Sequence, residues 1–154
     1  REDLVRACAL NSNPHSSIGR PMKVGKGEIL GLLKAIELFM ERDEEEWLAG
    51  CQRQAEYMVE ELRDIPHITA ECVSDPSANT QAIVPRTRLT FEEGSALSAA
   101  EVTQGLLAGD PPIEVRYRPS YLGKDRIRLD PTCLREGEER IVARRLRELL
   151  TAGA

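Results

Sequence analysis

Between Lys26 and Arg42 the apolar residues recur at helical spacing: Ile29, Leu33, Ile36 and Met40 fall on one face, and Leu32 and Phe39 widen it. A second helix is expected from Asp43, where Asp43 and Glu46 form a capping-box-like pair. Its stripe is Trp47, Cys51, Ala55, Met58 and Leu62, and Pro66 stops it. From His67 to Ser74 the period changes to two. Ile68, Ala70 and Cys72 face one side and Thr69 and Glu71 the other, which predicts a strand. Asp75-Pro76-Ser77-Ala78-Asn79 is turn chemistry, and Thr80 to Phe91 a second extended run broken at Pro85.

Ser98 and Glu101 make another capping box, opening a helix to about Leu107. Gly109 and Pro111-Pro112 end it. Ile113, Val115 and Tyr117 alternate with Glu114, Arg116 and Arg118, predicting a third strand. The chain then turns over Pro119 to Asp125 and returns as a fourth strand from Arg126 to Leu129, with Ile127 and Leu129 inward. A last helix is expected from about Glu138 to Leu150 with Ile141, Leu146, Leu149 and Leu150 buried. The order of elements is that of an α+β layer: an antiparallel sheet of about four strands covered by helices, preceded by a loop and long helices. Residues 1–25 break this pattern. They read as a short helix end and an extended loop punctuated by Asn11-Ser12-Asn13-Pro14, Gly19, Pro21 and Gly25.

Composition narrows the function classes. A chain of 154 residues can bury a real core. Its 41% hydrophobic and 31% charged residues are ordinary for a soluble globular protein. No apolar run approaches the roughly 18 residues of a membrane span, so no membrane partner is expected. There is no signal-peptide pattern, and Arg1-Glu2-Asp3-Leu4 reads as the interior of a longer polypeptide. The net charge of −5 argues against simple electrostatic binding of nucleic acid, tRNA included. Cys8, Cys51, Cys72 and Cys133 are scattered, with no metal-ligand spacing, and are expected to be reduced core residues of a cytoplasmic protein.

Lysine is scarce: Lys23, Lys26, Lys34 and Lys124 stand against 17 arginines. Arg20, Lys23 and Lys26 place three cations in seven residues beside Gly25 and a helix start. Free N–H groups and the helix dipole favour an anion there, so the group is a candidate phosphate site; the competing reading is a solvated basic loop. Arg116, on an alternating strand, is a candidate for a carboxylate, which its guanidinium matches bidentately. Arg86 and Arg88 are weaker versions of the same idea. His15, in the loop before Arg20, is a candidate substrate contact, whereas His67 reads as structural. Arg140, Arg144, Arg145 and Arg147 read as a solvated helix face.

Ile18-Gly19-Arg20-Pro21-Met22-Lys23-Val24-Gly25-Lys26-Gly27-Glu28-Ile29 resembles the stretch after the cofactor lysine in bacterial selenocysteine synthase (L-seryl-tRNA selenium transferase) and its relatives. These include D-glucosaminate-6-phosphate ammonia-lyase-like proteins, whose wording is closer. Pro111-Pro112-Ile113-Glu114-Val115-Arg116 resembles that family's Pro-Pro-Ile-x-x-Arg strand. Leu129-Asp130-Pro131 and Leu134-Arg135-Glu136-Gly137-Glu138-Glu139 resemble its hairpin and last helix start. One departure is Gly27, where the family often has Glu.

The resemblance covers nearly the whole chain and implies the small C-terminal domain of the aspartate-aminotransferase fold type. Residues 1–25 would be the tail of the large domain and its connecting loop, and 26–154 the small domain. It implies pyridoxal 5'-phosphate as cofactor, with Arg20, Lys23 and Lys26 on a phosphate and Arg116 and His15 on the substrate. No catalytic residue is expected in the chain, because the Schiff-base lysine should lie upstream. The complete protein would be a homo-oligomeric lyase or transferase acting on an amino acid or amino-sugar acid, and this chain alone inactive. Selenium transfer on seryl-tRNA and a non-catalytic interaction domain are the alternatives.

Overall fold

The computed structural model describes residues 1–74 and 84–152. The turn expected at 75–79 and the first residues of the run from Thr80 lie outside them. The chain divides into two compact units, Arg1–Asp43 and Glu44–Ala154.

The first unit holds α1 (Glu2–Asn11) and α2 (Lys26–Glu41), joined by a loop. Glu2 and Asp3 in the first turn of α1 suit the positive end of its dipole. The helical spacing of α2 is realised, yet none of its residues is buried. Even Ile36 is 47% exposed and Met40 79%.

The second unit carries the core. It begins with α3 (Glu44–Leu62), whose expected stripe holds: Cys51, Ala55, Met58 and Leu62 are buried. Strands β1 (Ile68–Val73), β2 (Arg86–Phe91) and β3 (Arg126–Leu129) form one antiparallel sheet in the order β1-β2-β3. β2 begins directly after Pro85, which has no N–H to give the ladder. Helices α4 (Ala99–Leu107) and α6 (Glu138–Thr151) complete the layer with α3, and a single turn of helix, α5 (Pro119–Leu122), precedes β3. The Ser98/Glu101 capping box that starts α4 is formed in both directions.

Register explains the core. Ile68 faces Phe91, Ala70 faces Leu89, Leu89 faces Ile127 and Thr87 faces Leu129. Directly opposed residues share a face. This face meets Met58 and Leu62 of α3, Val102 and Leu106 of α4, and Val142, Leu146 and Leu150 of α6 in one cluster. Thr87, fully buried on it, donates its hydroxyl to the Ala55 carbonyl at 2.9 Å, tying β2 to α3.

Several expectations are corrected. The sheet has three strands among the described residues, where about four were expected. Residues 113–117 supply only an isolated antiparallel bridge, Arg116 to Arg128. The segment is confined at both ends. Pro111, Pro112 and Pro119 have no N–H, and the Ile113 N–H is given to the Leu106 carbonyl of α4 at 2.9 Å. On α6 the buried positions are Glu139, Val142, Ala143, Leu146 and Leu150: Leu146 and Leu150 are buried as expected, Val142 takes the place of Ile141, and Leu149 only packs against the cluster. Cys51 alone of the four cysteines is a core residue; the others are exposed thiols. The α6 arginines are more than a solvated face. Arg147 pairs with Asp64 at 2.5 Å and also donates to the Glu61 carbonyl, Arg145 meets Glu148 at 2.6 Å, and Arg140 lies over the Tyr57 ring at 5.6 Å.

Candidate functional site

The candidate residues fall into both units. In the first, the loop after α1 is closed on itself. The Gly19 N–H donates to the Asn11 carbonyl at 2.8 Å, and Ser12 and Gly19 form a parallel bridge. A Cβ at Gly19 would collide with that carbonyl, so glycine is what permits the approach. His15 is exposed in this loop, its backbone N–H on the Ser12 carbonyl at 3.0 Å. Arg20 reaches back to the Pro14 carbonyl at 2.7 Å and the Ser16 hydroxyl at 3.3 Å. One of its terminal nitrogens is therefore committed to holding the loop, and the rest of the fork remains available. Lys23 and Lys26 are exposed, and no carboxylate pairs with either among the described residues.

Gly25 is the N-cap of α2, and the Glu28 carboxylate lies against it. The place where an anion is expected thus already has an anionic neighbour from the chain itself. A phosphate bound by Lys23 and Lys26 at this helix start would have to displace Glu28.

In the second unit, the sheet face opposite the core is basic. Arg86-Thr87-Arg88 and Arg126-Ile127-Arg128 each put two arginines on one side of a strand, because side chains alternate. In register, Glu71 opposes Arg88 and Arg88 opposes Arg128, while the bridge sets Arg116 on the other side of Arg128. Glu71 takes the fork of Arg88 at 2.8 and 3.2 Å. Like charges directly opposed destabilise a sheet, so a row with three arginines calls for anions.

Arg86 is 8% exposed and Arg128 4%. The Arg86 Nε donates to Asp130 at 2.8 Å, and another of its nitrogens to the Val84 carbonyl at 3.2 Å. Asp130 also accepts from the Thr132 hydroxyl at 2.7 Å and the Thr132 N–H at 3.2 Å. Burial pushes the Asp130 carboxyl up, but the bonds from Arg86 and Thr132 outweigh it and hold the group below its ordinary range.

Beside this pillar lies an open cleft of about 540 Å³, lined by Glu114, Arg116, Arg118, Asp130, Thr132 and Cys133. Arg116 is fixed by its backbone: its N–H donates to the Arg128 carbonyl at 3.1 Å, and its carbonyl accepts from the Arg128 N–H at 3.0 Å. Ile113, Val115 and Tyr117 pack against the core, so Glu114, Arg116 and Arg118 face the other way. The Tyr117 hydroxyl donates to the Lys124 carbonyl at 3.2 Å and closes the turn behind them. Arg116 and Arg118 are exposed, with no carboxylate partner among the described residues.

Of the expected site residues, Arg116 therefore stands in a cleft, and Arg20, Lys23, Lys26 and His15 stand along one loop and helix start. Sequence reasoning missed Arg118, Thr132 and Asp130. For Arg118 the signal was present as three Arg-x-Arg triplets, 86–88, 116–118 and 126–128, at strand period. All four lysines are exposed. No group of three or more His, Cys, Asp or Glu residues that could hold a metal ion occurs among the described residues. No helix among them is long and apolar enough to cross a membrane.

No known family profile matches the chain. Over 151 residues, 97% of its length, it is 36% identical to a 5'-C-glycyluridine monooxygenase-decarboxylase from a Streptomyces species, of which it covers 36%. Its fold is similar to the solved structure of D-glucosaminate-6-phosphate ammonia-lyase, with a TM-score of 0.65 and 26% identity over 90% of this chain and 36% of that one. Both relatives are enzymes, and the chain spans about a third of the length of each.

Proposed function

We propose that this chain supplies the small domain and connecting loop of a pyridoxal-phosphate-dependent lyase or transferase that acts on an amino acid or amino-sugar acid. In this reading residues 1–25 are the connecting loop and the end of a large domain, and 26–154 are the small domain. The complete protein is a cytoplasmic homo-oligomer.

The observation that carries the reading is Arg116. Its backbone is pinned to β3 by two hydrogen bonds, and its guanidinium stands exposed in the cleft. A fork held on a fixed backbone but left without a carboxylate suits a substrate carboxylate, which it would bind and orient. The names of the two relatives agree with such a substrate: one denotes a glycyl-bearing uridine and the other an amino-sugar acid phosphate.

The cofactor's phosphate fits Arg20, Lys23 and Lys26, which offer free donors at a helix start, with Glu28 as the group that must give way. His15, in the same loop, is proposed to contact the substrate. The lysine that carries the cofactor does not fit inside this chain. An imine-forming amine must lose its proton, which burial favours, and all four lysines here are exposed, with Lys23 and Lys26 assigned to the phosphate. Pyridoxal phosphate, when bound, supplies an electron sink for bond breaking at the amine-bearing carbon. This chain's contribution is to hold and orient.

The test is an Arg116→Gln substitution in the full-length protein. KM for the substrate should rise at least about tenfold with a smaller change in kcat, and Arg116→Lys should recover part of the loss. An unchanged KM would remove Arg116 from the site.

A further inference from the structure

We infer that the cleft beside Asp130 binds a small molecule with two anionic groups, one held by Arg116 and the second by Arg118. The inference rests on the proposed role of Arg116 and adds to it the charge and shape of the ligand.

Three observations lead to it. First, Arg116 and Arg118 face the same way. Tyr117 between them packs against the core, and both arginines line the same cleft. Alternate residues on such a segment lie roughly 7 Å apart. Their long side chains can close on two groups of one ligand or spread to a longer one.

Second, the carboxylate that could neutralise them is engaged elsewhere. Asp130 lines the same cleft but is held by Arg86 and by both donors of Thr132. Glu114 lines the same cleft two residues before Arg116, and no ion pair joins it to either arginine among the described residues.

Third, a single carboxylate would satisfy one fork only. The guanidinium binds carboxylate or phosphate through two parallel N–H bonds, so two forks accept two such groups. The ligand class is a carboxylate whose carbon chain carries a second carboxylate or a phosphate.

Cys133 provides the readout. It is an exposed thiol in the cleft wall, whereas the exposed Cys8 and Cys72 lie outside the cleft and serve as references. The 154-residue chain is alkylated with neutral N-ethylmaleimide, and each thiol is followed by peptide mass spectrometry, in butyrate, glutarate or 3-phosphonopropionate at constant ionic strength. Glutarate and 3-phosphonopropionate should protect Cys133 at about tenfold lower concentration than butyrate. Arg118→Gln should abolish that gain and leave butyrate protection in place. Arg118→Lys, which keeps the charge and loses the fork, should fall between. Arg116→Gln should abolish protection by all three.

Equal protection by glutarate and butyrate, still dependent on Arg116, would overturn the second-anion site and leave Arg116 in its role. Butyrate protection that survives Arg116→Gln would overturn both, and so would the absence of any selective protection of Cys133.

Discussion

Arg86 and Asp130 form an ion pair at 2.8 Å on the solvent side of the sheet, with the arginine side chain 9% exposed and the aspartate 24%. The pair sits where β3 ends and the cleft begins. It holds the residue that anchors Thr132, and so sets the wall opposite Arg116.

The pair gives stability a pH dependence. Hydrogen bonds from Arg86 and Thr132 outweigh the opposing effect of burial and keep the Asp130 carboxyl below its ordinary range. A carboxyl depressed in the folded state adds stability that is complete above its unfolded value, about 4, and is lost as pH falls through the folded value. Asp130→Asn should therefore destabilise the chain by about 2 kcal/mol at neutral pH, since it weakens the charge-assisted hydrogen bond to a buried guanidinium. The difference from wild type should shrink as pH drops from about 4 toward 2. Urea unfolding curves at several pH values measure both. A difference that stays constant over that range would show that the carboxyl is not depressed.

The buried face of α6 can be checked directly. Leu146 is fully buried in the core cluster, while Ile141 is only half-buried outside it. Leu146→Ala should cost about 2–5 kcal/mol, and Ile141→Ala about 1 kcal/mol or less. Circular dichroism in urea separates them. Equal losses would place Ile141 in the core after all.

Helix α2 carries an exposed apolar surface among the described residues. Ile29, Leu33, Ile36 and Met40 lie on one face, Leu32 and Phe39 beside it, and all are at least 47% exposed. Contiguous apolar surface of this extent marks an interaction region. The chain should elute from size exclusion above its 17.2 kDa monomer. Replacing Leu33 and Phe39 together by glutamate should shift it toward that mass. A concentration-independent monomer in the parent chain would count against the prediction.

Local chemistry was legible where it is decided locally. The Ser98/Glu101 box, the α3 stripe and the strand that starts after Pro85 follow from donors, spacing and a missing N–H within a few residues. The fourth strand failed for a distant reason. Alternation at Ile113, Val115 and Tyr117 was real and does face them inward, but the segment is tied to the Leu106 carbonyl of α4 at its start and turns into α5 at Pro119, so only Arg116 pairs with β3. On α6 Leu146 and Leu150 are buried as expected, but Ile141 and Val142 are equally apolar, and only the packing against α3 and α4 decides which of them is covered.

The candidate site shows the same division. Arg116 could be singled out in the sequence through its triplet and its resemblance. That Arg86 is buried on Asp130, that Arg128 backs Arg116, and that Arg118 shares its cleft depend on which strand lies beside which. The sequence by itself determined element type, capping, the basic triplets and the scarcity of lysine, because each rests on contacts or counts within a turn or a strand. The tertiary structure alone decided which arginines are engaged and which stand open, because register brings residues some 40 positions apart into ion pairs, as with Arg86 and Asp130.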